Sequence, residues 1–100
     1  MPALEQYRPR IHALCEKYSV QTLFAFGSVL SGQFSPESDI DLLVEFDWSQ
    51  ERNFSDCYWG LKESLESLFL CNVDLVCDSA IRNPLFRKEV DISKEAIYAA

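Results

Sequence analysis

The sequence lacks a long hydrophobic segment. No apolar run approaches the roughly 18 consecutive residues typical of a transmembrane helix. The N-terminal stretch also lacks the basic-then-apolar order of a secretory signal peptide. We therefore expect a cytoplasmic protein with no membrane partner.

Thiol and imidazole ligands are few and widely spaced. The four cysteines form no Cys-x-x-Cys pair, and there is a single histidine, His12. Structural zinc sites use closely spaced ligands of these types. The spacing therefore argues against a zinc site, and we expect the cysteines to be reduced and structural. They are Cys15, Cys57, Cys71 and Cys77.

Basic residues are also scarce. Nine Lys and Arg stand against sixteen Asp and Glu, which gives a net charge of −7, and the basic residues form no stripe. Extended nucleic-acid binding depends on Lys and Arg that neutralise phosphates, so we expect none here. An acidic protein can still bind a small nucleotide when a metal ion carries the positive charge.

The chain has enough apolar residues for a folded core. It is 48% hydrophobic over 100 residues, which is too apolar for disorder and fits one domain over residues 1–100. Apolar spacing predicts one sheet with a few helices. The predicted helices are 3–18, 54–69 and a short one capped by Asn83, and the predicted strands are 22–27, 39–46 and 72–77.

Two aspartates begin the second predicted strand. Asp39 and Asp41 flank Ile40, and side chains alternate faces along a strand. Asp39 and Asp41 should therefore project together, while Ile40 and Leu42 point into the core. Two adjacent carboxylates repel unless a cation lies between them, and Mg²⁺ prefers such oxygen ligands together with phosphate oxygens. The pattern therefore indicates phosphoryl or nucleotidyl transfer.

An Asp-x-Asp pair also occurs by chance on surface strands and turns. Here, however, Leu43 and Val44 are adjacent, which predicts a strand covered on both faces near its end, with Asp39 and Asp41 at its mouth. A Gly27-Ser28 turn also precedes the pair. This context favours an active site.

The Gly27-Ser28 turn itself has two compatible interpretations. Gly27 has no Cβ and lets the backbone approach a triphosphate, to which Ser28 offers a hydroxyl and an amide N–H. Alternatively, the turn ends a strand and Ser28 caps a helix. A helix N-terminus is itself an anion site, so both interpretations can hold.

Together these motifs resemble a known family. Gly27-Ser28, a ten-residue gap and Asp39-Ile40-Asp41-Leu42 match the DNA polymerase β-like nucleotidyltransferase superfamily, and the short length is similar to its minimal nucleotidyltransferases. Residues 72–76 resemble the later strand that carries the third carboxylate of the family, here Asp74. Residues 80–86 resemble the C-terminal end of such proteins.

The resemblance implies an α/β (α+β) fold in which helices flank a small mixed β-sheet with a polymerase β-like core. It implies that Asp39, Asp41 and Asp74 bind two Mg²⁺ ions, and that Gly27 and Ser28 hold the triphosphate of ATP or another NTP. Members are often paired with HEPN-domain proteins in toxin–antitoxin modules. The resemblance therefore implies transfer of AMP to an acceptor hydroxyl on a HEPN-type partner, with this protein as antitoxin.

Three alternatives remain open at this point. Asp74 can be an edge-strand residue that prevents pairing, although half-burial in an apolar strand would favour a metal ligand. Ser31 occupies the position of an arginine in many family members, so the role of that arginine cannot be transferred. The whole protein can also be a non-catalytic module that masks a partner. Candidate phosphate-neutralising residues are Arg52, Lys62, Arg82 and Lys88.

Overall fold

The structure is a computed structural model that describes residues 4–26, 39–47, 49 and 53–100. Its helices are a 3-10 turn at Leu4–Tyr7, α1 at Arg8–Lys17, α2 at Phe54–Phe69, a 3-10 turn at Asp78–Ala80 and α3 at Pro84–Ser93. Its strands are β1 at Val20–Phe26, β2 at Ile40–Phe46, β3 at Val73–Cys77 and β4 at Glu95–Ala99.

The helices begin where capping chemistry predicts. The Asn53 side chain accepts a hydrogen bond from the Asp56 amide at 3.1 Å, and α2 has its predicted bounds. Asn83 accepts a hydrogen bond from the Leu85 amide at 2.9 Å, which confirms it as the cap of α3. Pro9 lies in the first turn of α1, after the 3-10 turn. No helix in the described ranges is long and apolar enough to cross a membrane.

The described strands form one mixed sheet in the order β3-β2-β1-β4. β1 pairs antiparallel with both β2 and β4, whereas β2 and β3 are parallel. Parallel neighbours need a crossover connection, and α2 supplies it between β2 and β3. This β2-α2-β3 unit aligns the N-terminal ends of the two strands that carry the candidate carboxylates.

Strand β4 was not predicted from the sequence. It contains two alanines and a glutamate, residue types that are depleted in strands, and only Ile97 is buried. Its pairing with β1 is a tertiary effect that residue pattern alone does not reveal. The three predicted strands are all present, with small differences in where they start. β1 begins two residues earlier than predicted, and β2 and β3 each begin one residue later.

Both faces of the sheet are covered by helices. The larger core lies under α1 and α2 and contains Leu42 and Val44 of β2 with Leu61 of α2. The smaller core lies under α3, where Val90 packs with Phe26 and Leu43. Adjacent Leu43 and Val44 therefore lie in different cores, which confirms the prediction that β2 is covered on both faces.

Candidate active site

Three carboxylates lie at one end of the sheet. Asp41 is paired in register with Asp74 on the parallel strand β3 and with Phe26 on the antiparallel strand β1. Residues opposite each other on neighbouring strands point to the same face. Asp39 lies two residues before Asp41, just ahead of β2, and Asp74 and Asp39 are both exposed.

The buried neighbours of these residues determine which face the carboxylates occupy. Ile40 and Leu42 are buried in the larger core, as are Val73 and Leu75 on β3. Because side chains alternate along a strand, Asp41 and Asp74 must project from the opposite face. Asp39 lies just ahead of β2 and close enough to Asp41 for its charge to act on that carboxylate, and the common orientation of the two side chains stays a prediction.

The electrostatic state of Asp41 reflects this crowding. Burial raises the pKa of Asp41 above its ordinary value, and the negative charges of Asp74 and then Asp39 raise the pKa further. Each of these effects disfavours the ionised carboxylate. A cation at this end of the sheet would relieve the repulsion.

The donor set suits a hard divalent ion bound together with a nucleotide. In the described ranges, no group of three or more histidine, cysteine or carboxylate side chains is gathered closely enough to form a metal site by itself. Mg²⁺ does not require such a site, because it is usually bound by one or two carboxylates plus phosphate oxygens and waters. Asp41 and Asp74 supply carboxylate oxygens on one face, with the charge of Asp39 close by, which fits that mode of binding.

Asp74 differs from its sequence-based description in one respect. The sequence left open whether Asp74 is an edge-strand residue or a half-buried metal ligand, and the half-burial is not found, because Asp74 is exposed. β3 is an edge strand of the described sheet, so only one neighbouring strand shields Asp74. The pairing with Asp41 still brings Asp74 into the cluster.

Helix α3 forms an aromatic wall beside the carboxylates, which sequence reasoning did not identify. The Phe86 ring packs edge-on against Phe26 with 6.0 Å between ring centroids. Phe26 is also the register partner of Asp41. In the sequence, the Asn83-Pro84 cap predicts where α3 starts. It does not predict which face of the sheet α3 covers, because that depends on tertiary packing.

The candidate phosphate-neutralising residues differ in their contacts and exposure. Lys62 donates to Glu66 at 3.0 Å on α2, so its charge is already matched. Arg82, just before α3, and Lys88, within α3, are exposed. Arg52, like Gly27 and Ser28, lies outside the described residues, and their predicted roles remain predictions.

Comparison with known proteins identifies the family. A family model described as a nucleotidyltransferase domain matches residues 11–99. This chain belongs to that family. One relative of the nucleotidyltransferase, a candidate protein adenylyltransferase of Methanocaldococcus jannaschii, is 40% identical over 78 residues, which cover 78% of this chain and 77% of the relative. The protein adenylyltransferase MntA of Thermococcus cleftensis is 31% identical over 85 residues, which cover 85% of this chain and 80% of that relative.

Solved structures agree with this family at the level of fold. A minimal nucleotidyltransferase structure is 30% identical, covers 92% of this chain and 90% of that chain, and has a TM-score of 0.75. A toxin–antitoxin structure with AMP-PNP is 22% identical, with a TM-score of 0.71, and the match covers 93% of this chain and 73% of that chain. A structure of a tri-AMPylated Shewanella oneidensis HEPN toxin in complex with MNT antitoxin is 19% identical, with a TM-score of 0.65. The match covers 96% of this chain and 72% of that chain. The predicted minimal nucleotidyltransferase fold is therefore confirmed.

Proposed function

We propose that this nucleotidyltransferase is a Mg²⁺-dependent protein adenylyltransferase that moves AMP from ATP to a hydroxyl group of a HEPN-type partner, as the antitoxin of a toxin–antitoxin pair. The observation that carries the proposal is the register pairing of Asp41 with Asp74, with Asp39 close enough for its charge to act on Asp41. The relatives named as protein adenylyltransferases support the choice of AMP and of a protein acceptor.

The proposed roles follow from the positions of the carboxylates. Asp39 and Asp41 bind the metal–nucleotide complex, and Asp74 completes the ligand set. When bound, two Mg²⁺ ions would neutralise the triphosphate and stabilise charge on the attacking and leaving oxygens. In the same proposal Gly27 and Ser28 hold the triphosphate through backbone and hydroxyl groups.

The transfer is a simple displacement. The acceptor hydroxyl oxygen forms a bond to the α-phosphorus, and the bond from that phosphorus to the oxygen bridging to the β-phosphate breaks. Pyrophosphate leaves, and Asp74 orients the hydroxyl and accepts its proton. The protein contributes mainly positioning and charge stabilisation.

Partner and location belong to the same proposal. A HEPN-type acceptor is suggested by the fold shared with an MNT antitoxin that is bound to an AMPylated HEPN toxin. The net charge of −7 disfavours extended nucleic acid as the acceptor. The four free thiols suit the reducing cytoplasm, where ATP is also available.

The test is transfer of label from α-labelled ATP in the presence of Mg²⁺ and lysate proteins of the source organism. We expect label on a protein, with Asp39→Asn and Asp41→Asn each lowering the rate by at least about a hundredfold because transition-state charge loses its stabilisation. Glu45→Gln is the matched control, because Glu45 lies on the same strand and face as Asp41 but at the other end, and it is exposed.

The competing function is masking of a partner without chemistry. It predicts no label, no Mg²⁺-dependent ATP binding by calorimetry, and a partner complex that persists in EDTA. Full transfer activity in Asp41→Asn would also refute the assignment of the site. An unchanged rate in Asp74→Asn would remove only the role given to Asp74.

A further inference from the structure

An aromatic groove lies on the outer side of β3. It has a volume of about 630 Å³. Leu75 and Val76, which follow Asp74 along β3, form its floor, and Trp59 of α2 lies at its margin. The remaining lining residues are Phe54, Tyr58, Cys77, Ser79 and Ala80. The groove therefore begins next to Asp74 in the chain and runs toward the C-terminal end of β3, away from the candidate carboxylates.

Trp59 is exposed but held in a defined position. It is 56% exposed, and its indole ring packs perpendicular to Tyr58, with 5.0 Å between ring centroids. Tyr58 is itself fixed, because its hydroxyl donates to the Leu75 carbonyl at 2.6 Å. A rigid, exposed tryptophan provides a contact that loses little entropy on binding, as expected of an interface hot spot.

The charges around Trp59 are acidic. Exposed Asp56 and Glu63 lie three residues before and four residues after Trp59 on α2, which places both on the same side of the helix. The nearby cation Lys62 is paired with Glu66 at 3.0 Å. An aromatic ring between two carboxylates is suited to a guanidinium or ammonium group, which the ring face and the carboxylates both attract.

We propose that this groove, the Trp59 groove, docks a basic segment of the acceptor protein, with an arginine or lysine over the indole between Asp56 and Glu63. The inference rests on the proposed function, and it adds that the protein acceptor of AMP carries a positively charged segment. Docking there holds the acceptor along the β3 edge, from which its hydroxyl group would extend past Leu75 to Asp74, near the start of the strand. A second copy of this acidic chain is disfavoured, because it would bring further carboxylates to Asp56 and Glu63.

The test separates docking from chemistry by measuring binding in EDTA without nucleotide. A short synthetic peptide containing arginine, leucine and one tyrosine is titrated into ¹⁵N-labelled protein, alongside a peptide in which every arginine is replaced by glutamate. We expect the indole N–H resonance of Trp59 to shift with the arginine peptide alone, and the affinity to fall with added salt.

Variants assign the contact to the groove. Trp59→Ala should weaken arginine-peptide binding by about tenfold, the loss typical of a removed aromatic anchor, while Trp59→Phe should retain part of it. Asp56→Asn with Glu63→Gln should weaken binding severalfold and reduce its salt dependence. Leu85→Ala is the control, since Leu85 is 74% exposed on α3, outside the groove.

The outcomes are distinct from those of the transfer assay. Equal shifts with both peptides, or no shift of the Trp59 indole, would overturn the docking proposal even if label transfer is observed. Selective binding to the Trp59 groove without label transfer would retain docking and reject the proposed chemistry. An unchanged unfolding temperature in Trp59→Ala would show that the weaker peptide binding of this variant does not come from a loss of fold.

Discussion

At Asp41, burial and two neighbouring carboxylates act on one side chain in the same direction. All three raise its pKa, so the ionised form is unfavourable in the folded protein. A carboxylate in such a position does not stabilise the fold. Its position is consistent with a site that binds a cation and a polyphosphate.

This electrostatic penalty predicts a stability gain in Asp41→Asn. The folded-state pKa lies above the usual value of 3.8, so the folded state binds the proton more tightly than the unfolded state. The penalty is therefore fully present above the folded-state pKa and disappears as the pH falls below the unfolded-state value. In EDTA at neutral pH, Asp41→Asn should have the higher free energy of unfolding in urea titrations.

The pH dependence is the distinguishing feature of that prediction. The difference between Asp41→Asn and wild type should narrow steadily on acidification. Glu45→Gln, which changes an exposed carboxylate on the same strand, should show no comparable trend. A difference that stays constant with pH would mean that the substitution acts through packing.

At Leu70 the unfavourable contribution lies in the backbone conformation and not in a side-chain charge. It ends α2 in the left-handed conformation, with φ 57° and ψ 36°, and is 87% exposed. Relief of left-handed strain is worth about 1–2 kcal/mol and exceeds the added chain entropy of glycine, about 0.5–1 kcal/mol. Leu70→Gly should therefore raise the free energy of unfolding by up to about 1 kcal/mol.

An exposed aliphatic residue in a helical position is the control for Leu70. Ile92 is 74% exposed within α3, and Ile92→Gly should lower the free energy of unfolding by up to about 1 kcal/mol. Urea titration of both variants measures the contrast. A loss of stability in Leu70→Gly would show that its side chain contributes to the fold despite its exposure.

At the scale of elements, α1 and α2 meet where Tyr18 crosses Gly60. A Cβ added at Gly60 would lie 2.5 Å from Cε1 of the Tyr18 ring. The Tyr18 hydroxyl also lies 3.4 Å from Oγ of Ser64, one turn further along α2. The glycine, unfavourable within a helix, is therefore explained by close packing of the tyrosine ring.

This packing predicts a change of sign for Gly60→Ala. In the wild-type background displacement of the Tyr18 ring by the methyl group costs about 1–3 kcal/mol, against a helix-propensity gain of about 1 kcal/mol. The free energy of unfolding should therefore fall by up to about 2 kcal/mol. In a Tyr18→Ala background the same substitution should raise stability by about 1 kcal/mol through helix propensity. A double-mutant cycle measures the coupling, and additive effects would contradict the contact.

The arrangement of elements also explains why the carboxylates meet. Asp41 and Asp74 are far apart in the sequence but become neighbours because α2 returns the chain to a strand parallel to β2. α2 is held there by Leu61 and Leu65, which are fully buried in the larger core. The candidate site thus depends on a helix that contributes none of its carboxylates.

At the scale of the whole molecule, binding of Mg²⁺ and ATP should stabilise the fold. A ligand present at a hundred times its Kd stabilises the folded state by about 2.7 kcal/mol. For a chain of 100 residues this corresponds to a rise of roughly 10–20 °C in Tm. Thermal unfolding with a non-hydrolysable ATP analogue and Mg²⁺ measures the effect.

The same variants used for activity provide the controls for stabilisation. Asp41→Asn should lose most of the rise in Tm, because the bound metal and triphosphate lose a carboxylate. Glu45→Gln should retain it, because the other end of β2 is remote from the triphosphate in this proposal. A rise that persists in Asp41→Asn would place the nucleotide elsewhere on the molecule.

Local sequence patterns account for much of the architecture. The bounds of α2, the cap at Asn83 and the orientation of Asp41 follow from helical spacing, capping chemistry and strand alternation. Such signals are strong because each depends on residues within a few positions of one another. Strand β4 lacked a comparable signal, since it is short and rich in alanine.

The sequence by itself determined that Asp41 projects away from the larger core on a strand covered on both sides, because the period of two is intrinsic to an extended backbone. Only the tertiary structure decided that Asp74 lies beside Asp41, that α3 brings Phe86 to Phe26, and that β4 completes the sheet. Those neighbours depend on how helices bury their apolar faces against the sheet, which involves residues far apart in the chain.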